Sequence, residues 1–193
     1  MNNKNFETIY LNQVKVELSC CGVSSQKADV CIVPQFKTGV ALTGTSAELI
    51  HSASKNGIVA FQDHILDKKL EAKNAFCASC KGNYQYLIHI PILAKASEQS
   101  NSQSFHDIYD GVVAAIEEAH SINAKKILIP SIGDERCVRL SHIEVAKAVY
   151  RAIQKAATCD DKIIIAVKNQ ETMRSYKKAL ALKSMQRQEK SLP

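Results

Sequence analysis

Short runs of apolar residues alternate along the chain with longer stretches in which apolar residues recur every three or four positions. The short runs are rich in Val and Ile and end at Pro, Gly or polar residues, which is typical of strands. They lie at residues 8–19, where one or two strands are expected, and at 29–33, 86–93, 127–130 and 162–167. The helical spacing lies at residues 45–53, 108–119, 143–153 and 173–180. Strands that alternate with helices predict a three-layer α/β/α sandwich with a mostly parallel, mixed central sheet.

Capping signals mark the expected helix starts. Thr45 with Glu48, and Ser141 with Glu144, fit the capping box, in which a hydroxyl and a carboxylate each accept a hydrogen bond from an otherwise free backbone N–H. Residues 104–107 are a further expected cap, which leaves 95–104 as an exposed polar loop. Residues 34–44 are expected to form the loop after the second strand region, and 185–193 to fray.

Composition limits the class of protein. The 193 residues, 46% of them hydrophobic, predict a single domain over 1–193 with a real core. The absence of a long apolar run and of a signal peptide predicts a cytoplasmic protein without a membrane partner, and a non-classically secreted effector would have the same pattern. No cofactor is expected.

The net charge of +6 is concentrated at the carboxyl terminus. Residues 168–193 contain seven Lys/Arg and two Asp/Glu, whereas the rest of the chain is close to neutral. Such a segment can attract RNA or an acidic protein, or it can be the solvated face of a helix.

Metal and nucleophile signatures are sparse. Seven cysteines without a regular spacing predict reduced thiols, and Cys77 with Cys80 is the single C-x-x-C pair. The six histidines are scattered. His89 lies in an apolar strand run and is expected to be a buried structural histidine, whereas His120 and His142 are expected on helices.

Two loops that follow strands carry the candidate chemistry. The first leads to the helix start at Thr43, Gly44, Thr45 and Ser46, where free backbone N–H groups and hydroxyls favour an anion. The same residue types also fit an ordinary capped helix start that binds no ligand. The second is a loop with one glycine, which follows the strand ending at Pro130.

In the second loop, Ser131 and Gly133 are expected to offer backbone donors to a phosphate. Arg136 and Arg139 are expected to pair with it by charge, whereas Asp134 and Glu135 would repel it unless they turn outward. Because both loops leave the carboxyl ends of strands in one sheet, they are expected to flank a shared crevice.

The order of these segments resembles the macro domain, an ADP-ribose-binding α/β/α module, over most of the chain. The similar segments are the strand at 28–33, Gly44 with the helix after it, the strand at 86–90, the helix at 110–119 and the segment 127–133. The last of these matches a strand that ends in a Pro-Ala-Ile-Gly-like sequence, and it is the most specific match. The resemblance implies an ADP-ribose site between the two loops.

Several positions depart from the family's pattern. Val23 stands where the family has the Asp that holds adenine, and Pro34 and Lys37 stand at two loop asparagines that contact the distal ribose and support hydrolysis. The second loop also reads Asp134, Glu135, Arg136 where the family has small residues, and larger side chains narrow a phosphate channel.

We therefore predict a divergent binding module for ADP-ribose or a related nucleotide, without ADP-ribosyl hydrolase activity because the family's hydrolase residues are missing. The expected ligand-binding residues are Pro34, Gln35, Thr43, Gly44, Thr45, Ser46, Ser131, Ile132, Gly133, Asp134, Glu135 and Arg136. One alternative is an interaction domain that binds RNA or an acidic protein through residues 168–193. The other is an enzyme with altered chemistry that uses Asp134, Glu135 or a cysteine.

Overall fold

The computed structural model describes residues 6–36, 75–80, 82–93, 101–132 and 140–189. Within these residues, seven strands form one mixed sheet in the order β1-β2-β7-β6-β3-β5-β4. In this spatial order the five central strands, β2-β7-β6-β3-β5, are parallel to their neighbours, whereas β1 and β4 lie antiparallel at the two edges. The strands are β1 (Phe6–Leu11), β2 (Val14–Ser19), β3 (Val30–Phe36), β4 (Phe76–Ser79), β5 (Tyr86–Leu93), β6 (Lys126–Pro130) and β7 (Lys162–Ala166). The predicted mostly parallel, mixed sheet is confirmed.

Three described helices cover one face of the sheet. They are α1 (Asn101–Ser121), α2 (His142–Ala156) and α3 (Gln170–Glu189). Their apolar sides pack on alternate strand residues such as Ile32, Ile129 and Ile165, all fully buried. The intervening strand residues belong to a second buried cluster on the opposite face, which includes Val33 and Leu128. None of the described helices has a stretch apolar enough to cross a membrane.

The start of α1 differs from the prediction. The helix begins at Asn101, so residues 104–107 lie within it and do not cap it, and the polar residues 101–104 are helical. Ser104 and Asp107 are buried, and Gln103 Nε2 donates a hydrogen bond of 2.9 Å to Asp107 Oδ1. Polar composition suggested a loop here, but packing of the following turns on the sheet overrides weak local propensity. The expected loop at 95–100 lies outside the described residues.

The end of α3 also differs from the prediction, because the helix continues to Glu189 where fraying from Met185 was expected. No Gly or Pro interrupts residues 170–189, and Lys, Arg, Gln, Met, Ala and Leu are good helix formers. The basic segment is therefore mainly helical.

The capping box before α2 is confirmed. Glu144 N donates to Ser141 Oγ over 3.3 Å, and Ser141 N donates to Glu144 Oε2 over 2.9 Å. Hydrogen bonds from the backbone and side chain of Ser141 lower the pKa of Glu144. The box fixes the point at which the chain returns from the carboxyl edge of the sheet into a helix.

Asp29 holds the amino ends of β3, β5 and β6 together. Its carboxylate Oδ2 accepts hydrogen bonds from the backbone N–H groups of Lys125 and Lys126 over 2.9 and 2.8 Å. Its backbone N–H donates to Lys126 O, and its carbonyl oxygen accepts from Gln85 N over 2.9 Å. These bonds fix the spacing of three neighbouring strands at one end of the sheet.

Candidate functional site

The sheet divides at its carboxyl edge between β3 and β6. The pairing of these two strands covers Val30–Cys31 with Ile127–Leu128. By contrast, β3 stays paired with β5 up to Phe36, and β6 stays paired with β7 up to Pro130. Within the described residues, the two central strands are therefore joined at their amino ends and unpaired with each other at their carboxyl ends. A crevice at this point is where ligands bind in open α/β sheets.

Pro34 lies in the part of β3 that is no longer paired with β6. A loop was expected from Pro34 onward, but β3 continues through Pro34 and Gln35 to Phe36, with a register irregularity after Gln35. Proline has no backbone N–H to give to a ladder and is tolerated where a strand has an unpaired side or a bulge. Pro34 lies beyond the last residue pair that joins β3 to β6, so its missing donor is compatible with the strand. The expected loop start at Pro34 was wrong.

Gln35 and His89 form a buried polar pair beside the crevice. Gln35 is 1% exposed, and its Nε2 lies 2.7 Å from His89 Nδ1. An amide nitrogen can only donate, so Nδ1 is the acceptor in this contact. Among the described residues, Gln35 Oε1 is buried without a hydrogen-bond partner. A buried amide oxygen of this kind favours a donor from water or a ligand.

The expected placement of His89 as a buried histidine is confirmed, and Phe76 of β4 lies against it with 6.1 Å between ring centroids. Its pairing with Gln35 was missed from the sequence. The two residues are 54 positions apart, and the parallel register of β3 with β5 brings them together. The only local signal was a histidine within an apolar run.

Ser131 and Ile132 lie at the end of β6, on the other side of the crevice. The backbone N–H of Ser131 donates to Ala166 O over 2.7 Å. That donor is therefore engaged within the sheet, contrary to the expectation that it would face a phosphate. Ile132 is 1% exposed and packs in the core. The side-chain hydroxyl of Ser131, which is half-buried, is the polar group left at this position.

The remaining candidate residues lie outside the described residues. They are Thr43, Gly44, Thr45, Ser46, Gly133, Asp134, Glu135 and Arg136, together with Arg139. Their place in the site stays a prediction.

Val23 lies at the carboxyl end of β2, in a short 3-10 helix that spans Val23–Ser25. Its side chain is buried in the second-face cluster, and its carbonyl oxygen accepts a hydrogen bond from the hydroxyl of Tyr84. Nearby, Gln26 Nε2 donates to Ser19 Oγ over 3.0 Å. Position 23 is thus apolar and packed, and it offers no side-chain acceptor.

The cysteines of the described residues show no arrangement for metal binding. The described residues contain no group of three or more His, Cys, Asp or Glu that could hold an ion. Cys77 and Cys80 form no disulfide and are half-buried. Burial, with a smaller effect of the Glu118 charge, raises the pKa of Cys77 to about 11, so this thiol is protonated and weakly nucleophilic at neutral pH. Burial also raises the pKa of Cys31.

Comparison with known proteins places this geometry in a structural class. No protein-family model and no curated protein matches the sequence. The Oceanobacillus iheyensis macrodomain with ADP superposes with a TM-score of 0.79 at 13% identity, covering 94% of this chain and 97% of that one. The Trypanosoma brucei macrodomain gives 0.68 at 8% identity, covering 92% and 73%. The macrodomain of Thermus aquaticus DarG gives 0.64 at 11% identity, covering 78% and 97%.

The chain therefore has the macrodomain fold. The predicted α/β/α class is confirmed, although sequence identity to these structures is low.

Proposed function

We propose that this protein is a macrodomain-like binding module that takes ADP-ribose or a related nucleotide into the crevice between β3 and β6. The observation that carries the proposal is the division of the sheet at its carboxyl edge, since it opens a site between strands that are tied at their amino ends. Two structures of similar fold support the choice of ligand, because the Oceanobacillus iheyensis macrodomain is described with ADP and a variant of it with ADPR.

The described residues supply polar groups that fit the sugar part of such a ligand. Gln35 Oε1 is an acceptor, and the donor that suits it is a hydroxyl such as a ribose hydroxyl. The Ser131 hydroxyl can donate to a phosphate oxygen. The two predicted glycine positions, Gly44 and Gly133, would let the backbone approach the diphosphate.

We further propose that binding occurs without ADP-ribosyl hydrolysis. The resemblance places Pro34 and Lys37 where the family has its two asparagines, and the pyrrolidine ring of Pro34 has no polar atom with which to orient a water. Release of ADP-ribose from a mono-ADP-ribosylated protein measures this directly. We expect no release above the protein-free background, and turnover above it would contradict this part of the proposal.

Replacing Gln35 by leucine is expected to weaken ADP-ribose binding about five- to tenfold, the effect of one hydrogen bond. Leucine fills a similar volume but has no acceptor. Isothermal titration calorimetry with ADP-ribose at up to millimolar concentration measures both affinities. The control is Gln85→Leu, because Gln85 is exposed and lies before β5 at the opposite edge of the sheet.

Wild-type protein that gives neither heat nor a thermal shift at millimolar ADP-ribose would overturn the proposed ligand. Equal affinities for wild-type and Gln35→Leu protein would exclude Gln35 from the site while leaving ligand binding intact.

A second candidate function is binding of RNA or an acidic protein through the basic segment. Lys168, Arg174 and Lys178 are exposed on α3 and just before it, which gives this alternative a specific surface. Neutralising these three residues to glutamine would then weaken RNA binding and reduce its salt dependence. Neutralising Lys27, Lys125 and Lys155, which are exposed elsewhere, is the matched control. Binding that is absent, or that is insensitive to salt, would rule this alternative out.

A further inference from the structure

The edge strand β1 exposes two large aromatic side chains. Phe6 is 59% exposed and Tyr10 is 67% exposed, and among the described residues these are the large apolar side chains that stand out in solvent. Since side chains alternate along a strand, Phe6, Thr8 and Tyr10 share one face. On the other face, Leu11 is buried in the core and Glu7 pairs with Lys177. The aromatic face is therefore the outward one.

The outer side of β1 lacks the usual protection of a sheet edge. Natural edge strands are commonly blocked by charges, proline or bulges. In β1 the single charged side chain, Glu7, is engaged by Lys177, and the six-residue pairing with β2 runs without a register shift. Within the described part of the sheet, β2 is the neighbour of β1 on one side and no strand lies on the other. The outer backbone groups of β1 are thus placed to pair with another strand.

The sequence of β1 is complementary to itself. If two copies pair antiparallel about a twofold axis at Thr8, Phe6 of each copy lies opposite Tyr10 of the other, and Thr8 lies opposite Thr8. On the reverse face Glu7 lies opposite Ile9, so no like charges meet. Aromatic pairs and Thr–Thr pairs are favourable cross-strand neighbours.

The charges beside the aromatic face favour a second copy of the protein, rather than a nucleic acid, as the partner of β1. On the same face, Oε1 of Glu17 in β2 lies 3.2 Å from Lys15 Nζ and 3.3 Å from Lys162 Nζ. Burial raises the pKa of Glu17, but hydrogen bonds and charges of the two lysines outweigh this effect and lower it overall. Both lysines are therefore engaged by the Glu17 carboxylate, which offsets one of their two positive charges, whereas a single-stranded nucleic acid would need unpaired cations beside the aromatic rings.

We propose that the protein forms a twofold homodimer in which the β1 strands of two copies pair antiparallel at Thr8 and join the two sheets into one. The contact involves one short strand from each copy, so the interface is small and the dimer reversible. Sedimentation velocity over about 5 to 500 µM is expected to show a monomer–dimer equilibrium with a dissociation constant in the micromolar range, about 10 to 100 µM.

Substitution at the proposed axis tests both the interface and its register. Thr8→Lys places two lysines opposite each other and is expected to weaken dimerisation at least about tenfold, and Thr8→Glu is expected to do the same. Thr8 is exposed, so the fold should persist, which circular dichroism checks. The control is Gln13→Lys, an exposed position of the β1–β2 turn outside the proposed pairing, which should leave dimerisation unchanged.

An equimolar mixture of Thr8→Lys and Thr8→Glu protein is expected to dimerise at least as well as the wild type, because opposite charges then meet at the axis. A wild type that stays monomeric at about 500 µM would overturn the proposal, since the expected dissociation constant lies well below that concentration. So would a dimer that Thr8→Lys does not weaken, or a mixture that does not recover dimerisation, since either would place the interface elsewhere.

Discussion

Replacing Asp29 by alanine is expected to lower the free energy of unfolding by about 3 kcal/mol. The carboxylate accepts two backbone hydrogen bonds, from Lys125 N and Lys126 N, and hydrogen bonds to a charged group contribute about 1.5 to 3 kcal/mol each, with partly exposed bonds such as these at the low end. These bonds hold β3 against β6 at the one end where the two strands are paired. Chemical denaturation followed by circular dichroism measures the loss.

Two variants accompany this measurement. Asp29→Asn keeps an acceptor oxygen without the charge and is expected to lower the free energy of unfolding by about half as much as Asp29→Ala. Asp110→Ala removes an exposed carboxylate from α1 and should change stability by less than about 0.5 kcal/mol. An Asp29→Ala protein as stable as Asp110→Ala would contradict the role assigned to this junction.

Replacing Tyr176 by alanine is expected to destabilise the protein by about 3 to 5 kcal/mol, because it empties a fully buried aromatic site between α3 and α2. The rings of Tyr150 and Tyr176 meet edge to face with centroids 5.7 Å apart. The Tyr150 hydroxyl donates to Tyr176 O over 3.1 Å. This pair is the main aromatic contact described between the two helices, and thermal denaturation measures its contribution.

The two hydroxyls of this pair should behave differently on removal. Within the described part of the chain, Tyr176 Oη is buried without a hydrogen-bond partner, so Tyr176→Phe should be neutral or stabilising. Tyr150→Phe removes the hydrogen bond to Tyr176 O and should lower the free energy of unfolding by about 1 kcal/mol. Burial raises the pKa of both hydroxyls, so the comparison is best made near neutral pH. The reverse order of stability would contradict these hydrogen-bond assignments.

Much of the sheet could be predicted from the sequence, since buried parallel strands are short continuous apolar runs. Residues 86–93, 127–130 and 162–167 carried that signal, and the structure has strands there within one residue. The capping box at Ser141 was predicted for the same kind of reason, because both partners of its hydrogen bonds lie within four residues.

The errors arose where tertiary contacts decide the structure. Pro34 was taken as the end of a strand, yet β3 continues through it because the neighbouring strand β6 has already diverged from β3 at this point. The start of α1 was placed four residues late, because a polar first turn has little local signal. For Pro34 the deciding partner, β6, lies far away in sequence.

The location of the candidate site stays a prediction, and the structure adds details of its described residues that the sequence did not contain. Its place at the carboxyl ends of β3 and β6 followed from the general behaviour of parallel sheets. The engagement of Ser131 N by Ala166 O and the pairing of Gln35 with His89 depend on strand register, which no local pattern contains. The first removes an expected phosphate donor, and the second supplies an acceptor that was not expected.

The place of ligand binding can be measured directly from backbone and side-chain amide shifts of ¹⁵N-labelled protein during titration with ADP-ribose. We expect the largest changes at the side-chain amide of Gln35 and at the backbone amide of Ser131, which lie on the two sides of the crevice between β3 and β6. Changes confined to the exposed surface of α3, or no changes at millimolar ADP-ribose, would contradict it.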